Sequence, residues 1–242
     1  IEMSGEQVSC VIRWGIDEEG LFSQERSLVF PMLRRVPNDT HASLLYRIGT
    51  DIMSLTGINS LVPKQLSTKK VSIDGGLTVV NEYGVGKANV GGARGSYMKP
   101  VVEVRQTVFP SRTLPMVCEI YCVRNITDKP LVINIPEFSQ STETLADKGV
   151  DGGYVIRGDI FGCGTYILDP QNDIEFQVAF QAYRASNENM IVPNVSDEYE
   201  SRMSFVHEDI DSSLILNTPD STINTEFRFA KIRASESIYR TK

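Results

Sequence analysis

The sequence has few histidines and no cluster of basic residues, and both scarcities limit what it can bind. Its 242 residues include two histidines and one tryptophan, and the formal net charge is −7. Binding to nucleic acid needs clustered lysine and arginine side chains opposite the phosphates, and no such run occurs. No apolar run approaches the roughly 20 residues that a membrane span needs. Nucleic acid and membrane are therefore not expected partners.

Cysteine is also scarce, at four residues, and the spacing matches no zinc motif. Cys118 and Cys122 stand in one alternating run. On a strand they would lie roughly 13 Å apart at about 3.3 Å per residue, whereas a disulfide needs Cα atoms within about 7 Å. We therefore expect free cysteines, buried as small hydrophobic residues, and neither a metal nor a cofactor. The four are Cys10, Cys118, Cys122 and Cys163.

The sequence contains no complete catalytic motif. The glycine-rich stretch from Tyr83 to Tyr97 departs from the dinucleotide-binding pattern, because Asn89 stands where the third glycine belongs. It predicts a mobile surface loop instead. The two histidines, His41 and His207, are far apart in the sequence and define no metal or nucleophile site. No residue of this chain is therefore predicted to be catalytic.

A long series of alternating apolar and polar residues runs through most of the chain, and it is typical of half-buried strands. The clearest run covers residues 174–182, where even positions are apolar and odd positions mostly polar. Asp74-Gly75-Gly76 predicts a hairpin, because glycine accepts the positive φ of a tight turn. The pattern predicts a mainly β fold: a large antiparallel two-sheet sandwich over residues 1–185, followed by a short helical linker.

Two strand faces are predicted in more detail. Trp14 alternates in register with Cys10 and Ile12, which favours a core position over an exposed one where it would stack on a sugar ring. Cys118 and Cys122 share the apolar face of a later strand, with the charged and polar residues on the opposite face.

Two polar segments lie between strands. Residues 34–41 gather donors and acceptors of the kind that bind sugar hydroxyls, and the carbohydrate-binding candidates are Arg34, Asn38, Asp39 and His41. The alternative is a structural turn in which Asn38 or Asp39 bonds to its own backbone. Residues 136–153 form a second, longer loop, which is as consistent with plain solvation as with binding.

The pattern becomes helical near residue 186. Residues 186–219 are predicted to form a helical linker, in which Ser196 begins a helix followed by apolar residues at helical spacing. Residues 220–242 are predicted to form a final helix, capped by Asp220 or Ser221.

The final helix has two apolar faces on a helical wheel. One face contains Ile223, Phe227, Ala230, Ala234 and Ile238, and the other contains Phe229, Ile232 and Tyr239. A surface helix needs only one such face, so two faces indicate burial between two layers. The sheets can supply one layer. We expect further helices to supply the other, so that 220–242 is the first helix of a longer helical domain. In this chain alone, the second face would be exposed or buried in an oligomer contact.

The order of elements resembles the N-terminal part of six-hairpin glycosidases of Bacteroidetes type, glycoside hydrolases whose catalytic domain is an (α/α)6 barrel. The likeness is carried by VSCVIRWGIDEEGLFSQERSLVFPMLRRVPNDTHASL (residues 8–44) and LNTPDSTINTEFRFAKIRASESIYRTK (residues 216–242). It implies a galactose-mutarotase-like supersandwich for residues 1–185. It also implies that the catalytic acid and base belong to the barrel, beyond residue 242.

The resemblance implies a non-catalytic N-terminal domain of a glycoside hydrolase, in a periplasmic or secreted protein. Such a domain packs on the downstream helical catalytic domain and can lend a loop to the carbohydrate cleft. The alternative is a free-standing carbohydrate-binding or adhesion sandwich. The two-sided helix favours the first class, because a free-standing module has no use for a second apolar face. A mutarotase-like enzyme acting alone would need a set of histidines and carboxylates that two histidines do not supply.

Overall fold

The structure is a computed structural model that describes residues 1–38, 42–86, 98–186 and 191–238. Several residues singled out in the sequence lie outside these ranges: Asp39, His41, Tyr239 and the part of the glycine-rich stretch at 87–97.

The described residues form fourteen strands. In chain order they are β1 (Glu2–Ser4), β2 (Ser9–Ile16), β3 (Phe22–Arg34), β4 (Ser43–Ile48), β5 (Gly57–Ile58), β6 (Lys64–Asp74), β7 (Gly76–Gly84), β8 (Pro100–Pro110), β9 (Met116–Asn125), β10 (Leu131–Ile135), β11 (Ser139–Glu143), β12 (Tyr154–Phe161), β13 (Gly164–Leu168) and β14 (Asp173–Arg184). They make a seven-stranded sheet, β11-β12-β14-β9-β8-β7-β6, a four-stranded sheet, β1-β2-β3-β4, and a three-stranded sheet, β13-β10-β5.

The predicted fold class is confirmed: the chain is mainly β, its sheets are antiparallel and form a sandwich, and a short helical region follows. Hydrogen bonding divides the strands into three sheets rather than two. The predicted hairpin is present, with Asp74 opposite Gly76 and a φ of +70° at Gly75. The segment 136–153 is not wholly a loop, because it contains the edge strand β11 and a 3-10 turn at Ala146–Lys148.

One continuous hydrophobic core joins the three sheets. Alternate residues of β7, β8, β9 and β14 line the inner face of the seven-stranded sheet, and the buried faces of the two smaller sheets pack against them. Trp14 lies outside this core, because its strand emerges into solvent near its end. The Trp14 side chain is 40% exposed and its ring stacks on Phe22 at a centroid distance of 5.9 Å. The core position predicted for Trp14 is therefore wrong.

Three helical segments follow the last strand among the described residues. Helix α1 (Val195–Ser204) begins at Asn194, which accepts from the backbone N–H of Asp197, and not at the predicted Ser196. A π-helical turn, Phe205–Ile210, continues it directly. Helix α2 (Ser221–Glu236) begins at Asp220, as predicted, and Asp220 Oδ1 accepts from the backbone N–H of Thr222 at 2.8 Å.

The helices cover parts of the sandwich from outside. Helix α1 lies on the side of the seven-stranded sheet that faces away from the core. There the rings of Tyr199 and Phe109 pack edge to face, with their centroids 5.2 Å apart. Helix α2 packs on the π-helical turn through Ile232, Val206 and Ile210. In the part of the chain that the structure describes, no helix is both long and apolar enough to cross a membrane.

Candidate functional site: an apolar helix face and a polar cleft

The described members of the predicted sugar-binding segment do not form a pocket. The carbonyl oxygen of Arg34 accepts from the backbone N–H of Val150 at 3.0 Å and from the Tyr154 hydroxyl, so this backbone anchors the segment. The side chains of Arg34 and Asn38 are exposed, and Asn38 adopts a positive φ of 64°. Neither residue lines the polar cleft described below. Both interpretations of this segment, a sugar site and a turn closed by Asn38 or Asp39, therefore stay predictions.

Helix α2 buries the face that we expected to be exposed. Ile232 is 6% exposed, and Phe229 is half-buried beside it. The opposite face points outward: Ile223 is 47% exposed, and Ala230 and Ala234 are exposed. The prediction that the face with Phe229 and Ile232 would be the exposed one is therefore wrong. Ile232 is buried because Val206 and Ile210 of the π-helical turn pack against it.

The exposed side of α2 continues into the segment before it. Leu214, Ile215 and Leu216 are exposed, and they flank Phe227 in a groove of about 250 Å³. We call this combined surface the outer face, and its members are Leu214, Ile215, Leu216, Ile223, Phe227, Ala230 and Ala234. Large contiguous apolar patches on a protein surface usually mark a site of interaction.

Buried contacts fix α2 to the sandwich. Arg202 of α1 donates through Nε to the carbonyl oxygen of Gly75 at 2.7 Å and through Nη1 to that of Ser4 at 3.2 Å. Its Nη2 pairs with the Glu236 carboxylate of α2, and the two side chains are 2% and 1% exposed. One guanidinium thus connects the β6–β7 hairpin, β1 and α2.

A second arginine, nearer the surface, also attaches α2 to the β6–β7 hairpin. Arg228 of α2 donates to Asp211 and to Asp74, both at 2.8 Å, and His207 Nε2 lies 3.2 Å from Asp74. The hydrogen bond from Arg228 lowers the pKa of the Asp211 carboxyl below its ordinary value. Because a buried arginine and a surface arginine both attach α2 to the sandwich, the outer face of the helix has a defined position relative to the sheets.

A polar cleft opens between β3 and the inner faces of β7, β8 and β9, with a volume of about 610 Å³. Its polar lining includes Gln24, Asp51, Asn81, Tyr83, Gln106 and Tyr121. These groups can both donate hydrogen bonds to hydroxyl groups and accept them.

A buried network forms the floor of the cleft. The guanidinium of Arg26 pairs with the Glu119 carboxylate. Glu119 also accepts from Gln106 Nε2 at 2.9 Å and from the Tyr121 hydroxyl at 2.6 Å. Gln106 in turn accepts from Gln24 Nε2 at 2.9 Å. Burial opposes the charge on Arg26, but the facing Glu119 carboxylate outweighs it and raises the pKa of Arg26.

Two atoms of this network have no partner. Gln24 Oε1 and Arg26 Nε are both buried and neither makes a hydrogen bond within the described structure. Burial raises the pKa of Tyr121, and the negative charge of Glu119 raises it further, so its hydroxyl stays protonated. The floor therefore keeps one unused donor and one unused acceptor.

Sequence reasoning missed Glu119 because it assigned the strand's faces the wrong way round. Val117, Tyr121 and Val123 share the inner face with Glu119, while Cys118 is buried on the other side under α1. The available signal was this second set of alternate apolar residues. On β8, Gln106 similarly interrupts an inner face of valines.

All four cysteines are free, as predicted. Cys10 and Cys118 are buried, whereas Cys122 and Cys163 are half-buried, so the burial predicted for all four is wrong for these two. Burial raises the pKa of Cys10 to about 12, which leaves it an unreactive thiol at neutral pH. Over the described residues, no group of three or more histidine, cysteine, aspartate or glutamate side chains is arranged to hold a metal ion.

A scan against protein-family models and a search of curated proteins each found no match to this chain.

Proposed function

We propose that this chain is the non-catalytic N-terminal sandwich domain of a glycoside hydrolase, and that its outer face packs on a helical catalytic domain of the same polypeptide. The observation that carries the proposal is the asymmetry of α2. One side of the helix is held by buried contacts through Ile232 and Glu236, and the other presents apolar side chains to solvent.

A charged group beside the outer face is already engaged. Lys231 Nζ donates to the carbonyl oxygens of Ile210 at 2.7 Å and Leu214 at 2.8 Å, which holds the segment 214–216 against α2. A partner therefore meets mainly aliphatic side chains there. Removing apolar surface from water contributes about 25 cal/mol per Å², so covering these side chains favours packing on another apolar surface.

Helices are the partner that best suits this surface. The outer face of α2 has apolar residues at i, i+4, i+7 and i+11 from Ile223, the spacing with which one helix packs on another. The resemblance of residues 8–44 and 216–242 to six-hairpin glycosidases supports the same partner. In that arrangement the sandwich supports the barrel, and the segment at Arg34–Asn38 is a candidate for contact with the carbohydrate.

The polar cleft favours the alternative, a free-standing carbohydrate-binding sandwich. In that case a second copy of the chain would cover the outer face, and the 242-residue chain would be a stable dimer. The two classes differ in whether a helical domain is needed to cover α2.

The proposal is tested by activity. The complete open reading frame containing this chain is expressed and assayed on a panel of aryl glycosides and plant and host polysaccharides, beside the 242-residue chain. We expect hydrolysis by the complete polypeptide and none by the 242-residue chain. Hydrolysis by the shorter chain, or a reading frame that encodes no helical domain, would overturn the proposal.

A further inference from the structure

We propose that the cleft between β3 and the seven-stranded sheet is a binding site for a neutral polyhydroxylated molecule, a hexose or a disaccharide. The residues that would hold it are Gln24, Arg26, Asp51 and Asn81. The inference depends on the cleft alone, and it does not require the outer face of α2 to have a partner.

The floor of the cleft has unused hydrogen-bonding capacity. A polar group buried without a partner costs free energy, so such groups are rare in folded proteins. Gln24 and Arg26 stand two residues apart on β3 and project to the same side of the strand. Gln24 Oε1 can accept a hydrogen bond and Arg26 Nε can donate one. Both residues line the cleft. A hydroxyl group both donates and accepts, so a ligand bearing adjacent hydroxyls would satisfy both atoms once the two side chains turn toward it.

Charge also favours a neutral ligand. The ionic residues of the lining are two basic and two acidic: Arg26, Lys64, Glu25 and Asp51. Arg26 is already paired with Glu119. Glu25 likewise pairs with Arg47. An anionic ligand would therefore meet no excess of free cation, whereas a neutral ligand needs none. Carboxylates and amides are strong acceptors for the hydroxyl groups of such a ligand.

The size and shape of the cleft also suit such a ligand. The volume of about 610 Å³ falls within the range of about 300–1,000 Å³ that small-molecule sites occupy. Aromatic rings of Phe22, Tyr83 and Tyr121 line the cleft between the polar groups. Trp14 backs the Phe22 ring from outside. Apolar ring faces next to donors and acceptors match a sugar, which has C–H faces and a rim of hydroxyls.

The test uses the 242-residue chain and saturation-transfer NMR, with titration calorimetry for any sugar that gives a signal. The compounds are D-glucose, D-galactose, maltose and lactose, with glucose 6-phosphate and glucuronate as anionic counterparts. We expect saturable binding of at least one neutral sugar at millimolar concentration, and at least about tenfold weaker binding of the anionic compounds.

Two variants locate the site. Gln24→Met removes the unpaired acceptor, and Asp51→Asn keeps the shape of an exposed side chain while removing its charge. Each is expected to weaken binding about tenfold, the effect of one lost hydrogen bond to a charged or buried group. Gln177→Met is the matched control. Gln177 lies on the side of the seven-stranded sheet that α1 covers, away from the cleft, so this variant should bind as the unmodified chain does.

Three results would overturn the inference: no saturable binding of any neutral sugar, tighter binding of the anionic compounds, or equal losses in Gln177→Met and Gln24→Met. Circular dichroism of each variant separates a lost site from a lost fold, and Asp51→Asn stays informative if Gln24→Met unfolds. Failure here leaves the glycosidase assay of the complete polypeptide unaffected, so the two proposals fail separately.

Discussion

Arg26 and Glu119, which are 93 residues apart in the sequence, form an ion pair inside the sandwich with side chains 5% and 0% exposed. The pair connects β3 of the four-stranded sheet to β9 of the seven-stranded sheet. Taking two charges out of water costs several kcal/mol, and their attraction offsets this only when further hydrogen bonds complete the site. Gln106 and Tyr121 supply those bonds to Glu119.

Removing one partner should be strongly destabilising. Glu119→Ala leaves the Arg26 charge buried without its counterion, and we expect the free energy of unfolding at neutral pH to fall by about 3–5 kcal/mol. Urea denaturation followed by circular dichroism measures this. Glu175→Ala, an exposed carboxylate on the neighbouring strand β14, is the control, with an expected change within about 0.5 kcal/mol. A loss below about 1 kcal/mol in Glu119→Ala would show that the pair is not buried as described.

Removing both partners should cost less than the two single changes added together. In Arg26→Met with Glu119→Leu, no charge remains buried, and the apolar side chains fill similar space. Urea denaturation of this double variant and of the single variants Arg26→Met and Glu119→Leu completes a double-mutant cycle, and we expect a coupling energy between the two sites of at least about 1 kcal/mol. Additive losses would contradict a direct interaction between these side chains.

Arg202 should hold α2 more strongly than Arg233 does, although both contact Glu236. Arg202→Met withdraws donors from Gly75 and leaves a buried carboxylate with only its exposed partner. We expect a loss of about 3–5 kcal/mol and faster hydrogen–deuterium exchange throughout α2. Arg233 is 41% exposed, so Arg233→Met should cost about 1 kcal/mol or less. Equal exchange rates in the two variants would contradict the role assigned to Arg202.

Asp211 should make the attachment of α2 sensitive to acid. Its pKa is lowered by Arg228 from an ordinary value of 3.8, so the folded chain binds fewer protons at this site than the unfolded chain does. The stabilisation is therefore present above about pH 4 and is lost as the pH falls through the folded pKa. Between about pH 5 and pH 2, the unmodified chain should lose more stability than Asp211→Asn. Urea midpoints across this range measure the difference, and identical pH slopes would contradict it.

The outer face should make the isolated chain prone to associate. Replacing Leu214 and Ile223 with lysine removes two exposed aliphatic side chains, and we expect less concentration-dependent association in sedimentation velocity experiments. Leu145→Lys with Val150→Lys, two exposed aliphatic positions between β11 and β12, is the matched control. Association that falls equally in both double variants would show that the outer face has no special role.

The fold class follows from the sequence because a strand buries every second side chain, so alternation marks both the strand and its face. This works at residues 174–182, where the even positions are the core positions. It fails at Glu119, since alternation assigns a charged residue to solvent. The ion pair with Arg26 offsets the cost of burying the Glu119 carboxylate, and Arg26 is distant in the sequence. Periodicity within one strand carries no information about a partner on another sheet.

The two faces of α2 are also visible in the sequence, but which one is covered is not. Both faces contain aromatic and aliphatic residues. The choice depends on Val206 and Ile210, which the π-helical turn brings to the inner side of α2. A wheel drawn for a regular helix does not show the position of that turn. The polar cleft is likewise formed by residues of β3, β7, β8 and β9 that no local pattern connects.

The most direct test of the account is the accessibility of the outer face with and without the rest of the polypeptide. Ala234→Cys places a thiol on the exposed side of α2, and Ser141→Cys places one on the exposed edge strand β11 as a control. Maleimide labelling is followed by mass spectrometry in the 242-residue chain and in the complete polypeptide. We predict fast labelling of both positions in the short chain, and protection at position 234 alone in the complete polypeptide. Fast labelling at position 234 in the complete, folded polypeptide would contradict the proposal that a helical domain covers α2.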